Sequence, residues 1–176
     1  MSAGSAVDAA AVIRELERNH AVFAAILRDP PEGLIRFRPA PGKWNLLEIV
    51  NHLADEERDD FRTRVGLALA RATEPWPPID PEGWVSDRDY ADRDYAASVR
   101  GFLNERLASL AWLKGLPDPD WAAASSHPRL GDMKAGVLLV NWLAHDYLHI
   151  RQVTALRYRF LATGMPPGSV DYAGNW

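Results

Sequence analysis

Apolar residues recur at alternating spacings of three and four in four stretches of the chain, which is the period of an amphipathic helix. The first stretch carries this register in Ile13, Leu16, His20, Phe23 and Leu27. The third carries it in Val99, Leu103, Leu107 and Leu110. The pattern predicts four helices, at about residues 8–28, 45–70, 90–114 and 132–162.

Proline-rich segments separate these stretches. Residues 73–89 contain four prolines, which excludes a regular helix or a central strand and predicts a long crossing loop. Trp76 and Trp84 are expected to pin this loop to the core. A second irregular loop is predicted from Leu116 to about Gly131.

Capping residues indicate where two of the helices begin. Asn45, followed by Glu48 three positions later, predicts an N-cap with a capping box, and Asp132 is the candidate cap of the last helix. No strand pair and no internal repeat is expected. The sequence therefore predicts an all-α fold, with residues 1–176 forming a single domain, a four-helix bundle with long crossing loops.

Composition and charge narrow the functional classes. The chain has 176 residues, 47% hydrophobic and 25% charged, which is typical of a globular protein. Its net charge of −4 argues against a sequence-independent nucleic-acid binder. No apolar run approaches the ~18 residues of a membrane span. The first residues lack the basic start and apolar core of a secretion signal, so the expected location is cytoplasmic.

Two histidines one helical turn apart, His145 and His149, lie in the apolar fourth stretch and share one face. His52, on the second predicted helix, is the natural third ligand of a metal ion. The chain has no cysteine, so any metal must be held by His, Asp or Glu. Three imidazoles would leave coordination positions open, and they favour Zn²⁺ or Ni²⁺, with Fe²⁺ or Mn²⁺ as alternatives. The spacing is equally compatible with ordinary core histidines.

The other two histidines have less distinctive surroundings. His20 lies in an apolar stripe and is expected to be a hydrogen-bonded core residue, with fourth ligand as the alternative. His127 precedes a proline in a loop and is expected at the surface.

Several polar residues near the histidines are candidates for chemistry. Glu56 lies four positions after His52 and is the candidate catalytic base, or else part of a solvated acidic run over residues 55–60. Asn141 and Gln152 flank the histidine pair and could orient the imidazoles or bind substrate, or be ordinary boundary residues.

Arginines provide candidate anchors for an anionic substrate. Arg106 is the first candidate, and Arg62 and Arg151 are two further candidates. Each of the three could equally be a surface charge. Asp146, between the two paired histidines, is expected to face solvent.

Two sequence blocks carry a family resemblance. The block from Trp44 to Glu57, WNLLEIVNHLADEE, and the later block LAHDYLHIRQV closely resemble the DinB-like (DinB/YfiT) superfamily over nearly the whole chain. The resemblance implies a four-helix bundle with a divalent metal held by His52, His145 and His149. Leu148 stands where many relatives carry a further histidine, so no particular subgroup is indicated.

The resemblance also implies a function. Relatives with assigned chemistry include transferases and isomerases that use low-molecular-weight thiols such as bacillithiol or mycothiol. A thiol-dependent S-transferase acting on a small molecule is therefore the leading hypothesis. A hydrolase that uses metal-bound hydroxide, with Glu56 as base, is chemically open to the same site. A protein that binds metal or a small ligand without turnover is the third alternative. A homodimer is expected by the same resemblance, with no nucleic-acid or membrane partner.

Overall fold

Four long helical segments dominate the computed structural model, which describes residues 7–31, 33–127 and 129–174. The first helix, α1, spans Ala9–Leu27 and is capped by the Asp8 side chain, which accepts from the Ala11 amide. The second segment runs without a break through α2 (Leu46–Asp55), a π-helix (Glu56–Arg62) and α3 (Thr63–Leu69). The predicted bundle of helices is confirmed, although residues 1–6 and 175–176 lie outside the described parts of the single predicted domain.

Two further long helices complete the set. The third segment is α5 (Tyr95–Gly115), which Asp94 caps at the Ala97 amide. The fourth is α6 (Ala135–Thr163). Short elements occupy the connections: 3₁₀ turns at Leu34–Arg36, Tyr90–Asp92 and Asp171–Ala173, and a single helical turn, α4, at Trp84–Asp87.

Helix starts differ from the sequence expectation at two places. The third long helix begins at Tyr95 because Asp94 supplies its cap, and the preceding residues form the separate 3₁₀ turn. The fourth begins at Ala135, so Asp132 is not its cap. Instead β1 (Ala124–His127) pairs antiparallel with β2 (Gly131–Lys134), a strand pair that the sequence did not predict. Short polar strands such as these lack the apolar alternation by which strands are recognised.

The π-helical segment keeps the second helix aligned with the core. Core-facing side chains along it, Leu53, Glu57, Phe61 and Val65, follow one another at steps of four. In an α-helix such steps drift progressively around the axis, whereas a π turn, with its i→i+5 hydrogen bonds, absorbs the additional residue. The segment therefore keeps four successive turns facing the interior of the bundle.

The first and second helical segments lie diagonally across the bundle, and so do the third and fourth. The first helix packs against α5 and α6, and α2 packs against the same two helices from the other side. The loop over residues 73–89 joins the second segment to α5, which packs beside it, and Trp76 and Trp84 of this loop are both buried, as predicted for a loop pinned to the core. No helix in the described ranges is long and apolar enough to cross a membrane.

Two apolar clusters fill the interior, one toward each end of the bundle. One contains Leu16, Phe61, Leu110 and Trp142, and the other contains residues such as Phe23, Val50, Phe102 and Val153. Between them one buried polar side chain from each long helix joins a single hydrogen-bond network, formed by Asn19, Glu57, Arg106 and Asp146. The predicted register of the third helix is wrong at Leu107, which is 51% exposed, while Arg106 points into the core.

Candidate metal centre

Three imidazoles converge beside this polar layer. The Nε2 atom of His149 lies 3.2 Å from that of His52 and 3.0 Å from that of His145. One ring nitrogen of each lies within 4.8 Å of the others, the sole such group of three His or acidic ligands in the described residues. His52 and His149 are buried and His145 is half-buried, so the cluster reaches solvent along the His145 side.

Local structure fixes the position of His52. Asn45 accepts from the Glu48 amide while Glu48 accepts from the Asn45 amide, the predicted capping box, so α2 begins at a defined residue. Arg38 pairs with the same Glu48 carboxylate at 2.5 Å and ties the preceding loop to the cap. His52 then lies two turns inside the helix. Its ring packs 4.6 Å from the ring of Trp44.

The histidine pair is held from the side by aromatic packing. Phe61 lies 5.0 Å from the His145 ring and stacks on Trp142 at 5.7 Å. Trp142 in turn donates its indole N–H to Glu57. These contacts keep the surroundings of the three Nε2 atoms apolar and leave few ways for the rings to rotate.

Burial keeps all three imidazoles neutral. It lowers the pKa of His52 to about 3 and that of His145 to about 2, and in each case the neighbouring histidines lower it further. The pKa of His149 falls to about 4, also through burial, although Gln152 and the charge of Asp146 act in the opposite direction. Neutral imidazole is the form that ligates a metal.

The donor set fits a metal ion. Two nitrogens bound to one ion at ~2.0–2.1 Å lie roughly 3 Å apart, close to both Nε2–Nε2 distances. An imidazole nitrogen has one lone pair or one N–H, so hydrogen bonding alone satisfies the two close contacts of His149 Nε2 poorly. The Nδ1 atoms of His52 and His149 are also buried without hydrogen-bond partners. A cation among the three Nε2 atoms would satisfy those three nitrogens at once.

Glu56 is buried with an unpartnered carboxylate oxygen, Oε1. Burial is the main reason that its pKa rises to about 8, and the Asp60 carboxylate adds to the effect. Asp60 itself accepts from Arg64. The alternative of a solvated acidic run is wrong for three of its members, because Asp55, Glu56 and Glu57 are all buried.

The two amide side chains that flank the histidine pair have different surroundings. Asn141 is exposed and donates to the Val137 carbonyl of its own helix, so it does not reach the imidazoles. Gln152 is half-buried and influences His149, as described above. It also lines a cavity of about 190 Å³ together with Trp44, Lys43 and Arg159.

The remaining histidines lie apart from the cluster. His20 is half-buried, and its Nε2 atom has no hydrogen-bond partner, contrary to the expectation of a bonded core residue. His127 ends β1, where Nδ1 accepts from the amides of Arg129 and Leu130 and the ring contacts Trp76.

Arg106 is a core residue and not a substrate anchor. Its guanidinium is 1% exposed and donates to Glu57 and Asp146 at 2.6–2.9 Å. Its remaining N–H reaches the Leu16 carbonyl at 3.4 Å, so all five donors are engaged. The expectation that Asp146 faces solvent is likewise wrong, since its side chain is completely buried and also accepts from Asn19.

Sequence reasoning missed Asn19, Glu57 and Trp44 as parts of this centre. A signal was present for the first two: each is a single polar residue at a core position of an apolar stripe, between Leu16 and Phe23 or between Leu53 and Phe61. Buried polar residues require hydrogen-bond partners. A single polar residue in the apolar stripe of each of the four helices therefore indicates that these residues bind one another in one network.

Comparisons with known proteins agree with the fold. The structure of YfiT from Bacillus subtilis, described as a probable metal-dependent hydrolase with an unusual four-helix bundle topology, matches with a TM-score of 0.77 at 21% identity. The match covers 91% of this chain and 93% of that one. Curated proteins give no match. A family model for the DinB superfamily matches residues 15–153, so the chain belongs to the DinB superfamily.

Proposed function

We propose that this protein is a divalent-metal-dependent enzyme that transfers a group of a small-molecule substrate to a low-molecular-weight thiol. The observation that carries the proposal is the convergence of three neutral Nε2 atoms from two helices in a chain without cysteine. A divalent ion held by His52, His145 and His149 would lower the pKa of a thiol or water that coordinates it. Because the chain has no sulfur nucleophile of its own, the thiol must come from a cofactor.

The residues around the triad would support such a reaction. Trp44 and Phe61 pack against its rings and exclude water, which strengthens electrostatic interactions at the site. Glu56, with a pKa near 8, is matched to accepting the thiol proton and returning it to a leaving group near neutral pH. The thiol sulfur would form the new bond to the electrophilic atom, and the leaving group would depart with its electron pair.

The cavity lined by Trp44 and Gln152 is the proposed place for the thiol cofactor. The cavity of about 190 Å³ adjoins His52 through Trp44 and His149 through Gln152. Lys43 and Arg159 line the same cavity and carry positive charge. They would favour a thiol that bears carboxylates, such as bacillithiol, over a neutral thiol of the same size.

The second candidate is a metal-dependent hydrolase acting through activated water. The raised pKa of Glu56 also suits a general base for water, and YfiT, whose fold this chain shares, is described as a probable hydrolase. The same three histidines would be required, so substitution of the ligands does not separate the two activities.

Cobalt substitution separates them. The protein is loaded with Co²⁺ and titrated with bacillithiol, mycothiol or glutathione, while the near-ultraviolet spectrum is recorded. The proposal expects a sulfur-to-cobalt absorption band with at least one thiol, and thiol-dependent consumption of an electrophile such as monochlorobimane. The His145→Ala variant is the matched control and should show neither. Absence of the band with every thiol, together with hydrolysis of ester or amide substrates, would favour the hydrolase.

A further inference from the structure

One polar side chain from each of the four long helices meets in the middle of the bundle. Arg106 of α5 donates to Glu57 of the π-helix and to Asp146 of α6, and Asn19 of α1 also donates to Asp146. Because α5 and α6 lie diagonally, this guanidinium spans the core between helices that otherwise barely touch. Trp142 completes the group by donating to Glu57.

This cluster carries one negative charge in excess. Two carboxylates, Glu57 and Asp146, face a single guanidinium, Arg106, while Asn19 and Trp142 are neutral. The three charged side chains are at most 2% exposed, so water does not screen the excess. An uncompensated charge in the interior is strongly unfavourable, which makes a balancing cation nearby favourable.

The excess charge lies next to the histidine triad. Asp146 directly follows His145 and lies three residues, about one helical turn, before His149. The Arg106 guanidinium that it binds carries the opposite charge and acts in the opposite direction at His145, so the effect at the triad is the balance of the cluster. Glu57 reaches the triad through an unbroken set of contacts: it binds Trp142, which stacks on Phe61, which packs against His145. The imidazoles are neutral and do not supply the missing charge.

We infer that the Glu57–Arg106–Asp146 cluster is the electrostatic counterpart of the metal ion, and that its net negative charge raises the affinity of the three histidines for a divalent cation. The inference rests on the proposed function, in that the triad binds a metal. Glu57 and Asp146 are then positioning residues that act on the ion through charge, without ligating it. The cluster and the aromatic rings then have different roles. The charge of the cluster attracts the ion, whereas the apolar rings around the Nε2 atoms hold the ligands in position.

Two variants separate charge from structural support. Glu57→Gln removes one negative charge, whereas Arg106→Lys keeps the total charge and disturbs the same hydrogen bonds. Both should lower the thermal unfolding midpoint of the metal-free protein. The dissociation constants for Zn²⁺ and Co²⁺ are then measured at a temperature where both variants are folded, by calorimetry and by the visible cobalt spectrum.

The inference expects Glu57→Gln to weaken metal binding roughly 10- to 100-fold, while Arg106→Lys stays close to the wild type. The cobalt band positions should be unchanged in both, because the ligands are the same. Equal weakening in the two variants, or an unchanged dissociation constant in Glu57→Gln, would overturn it. If Glu57→Gln does not fold, Asp146→Asn makes the same charge change and is compared with Arg106→Lys in the same way.

Failure of the proposed function gives a different result. If the wild-type protein binds no divalent metal, the triad is not a metal site, and both the proposed function and the inference are wrong. If the wild type binds metal and the cobalt spectrum depends on His149 while both cluster variants bind equally well, the inference alone fails.

Discussion

His52 and His149 are 97 residues apart in the chain, yet their Nε2 atoms lie 3.2 Å apart. The two residues belong to α2 and α6, which pack side by side although a crossing loop, α5 and a hairpin intervene in the sequence. The Nε2 atom of His149 also lies 3.0 Å from that of His145, and one ring nitrogen cannot make a well-directed hydrogen bond to both neighbours. All three nitrogens gain from a cation between them. The metal proposal therefore depends on how these two helices pack.

Metal binding should stabilise the folded protein. An ion that binds the native state alone raises the free energy of unfolding by about 2.7 kcal/mol at a hundred times its dissociation constant. We expect Zn²⁺ or Ni²⁺ to raise the unfolding midpoint of the wild type in differential scanning fluorimetry, and His52→Ala or His149→Ala to abolish the increase.

The other histidines provide the control for that experiment. His20→Ala and His127→Ala remove imidazoles that lie outside the triad, so the metal-induced increase should persist in both even if their own midpoints fall. Loss of the increase in either variant would show that the metal binds elsewhere.

The metal-free protein should lose stability as the pH falls below about 6.5. The folded pKa values of about 3, 2 and 4 lie below the ordinary value of 6.5, so over roughly pH 4–6.5 the unfolded chain binds more protons than the folded one. Each such histidine contributes up to about 1.4 kcal/mol per pH unit, and the effect is absent above pH 6.5. Urea unfolding in EDTA at pH 7.5 and 5.0 measures it. His145→Leu should lose stability less steeply than the wild type, and identical slopes would contradict the burial of His145.

Glu56 should have the opposite pH dependence. Its folded pKa of about 8 exceeds the ordinary value of 4.5, so the folded state binds the additional proton and loses stability as the pH rises from about 4.5 to 8. Glu56→Gln removes this loss, and its unfolding free energy relative to the wild type should increase from pH 5 to pH 8. The exposed Glu74 gives the matched control, since Glu74→Gln should differ from the wild type equally at both pH values.

Asp146→Ala should be strongly destabilising. The substitution leaves two N–H groups of the buried Arg106 guanidinium and the Asn19 amide without acceptors, and each buried donor left unpaired costs about 1–3 kcal/mol. Asp132→Ala alters an exposed side chain of β2 and should change stability by less than about 0.5 kcal/mol. Chemical denaturation followed by circular dichroism compares the two. Similar small effects in both would mean that the buried ion pair contributes little.

Local signals were sufficient for much of the architecture. The capping box at Asn45, the apolar period of the first helix and the prolines of 73–89 each depend on residues close together in sequence. Such features depend on local interactions and not on how distant parts of the chain pack, so they were predictable. The prediction failed at Asp132, where a short polar strand carries no comparable pattern.

The sequence by itself determined the four helical segments, the lack of cysteine and the helical positions of His52, His145 and His149. Only the tertiary structure decided which polar residues are buried together. Arg106 and Asp146 were expected at the surface or at the substrate, because a charged residue is rarely buried without a partner, and the partner comes from a diagonal helix. Pairing across a bundle depends on which helices lie opposite one another and on their rotation, and helical periodicity within each segment fixes neither.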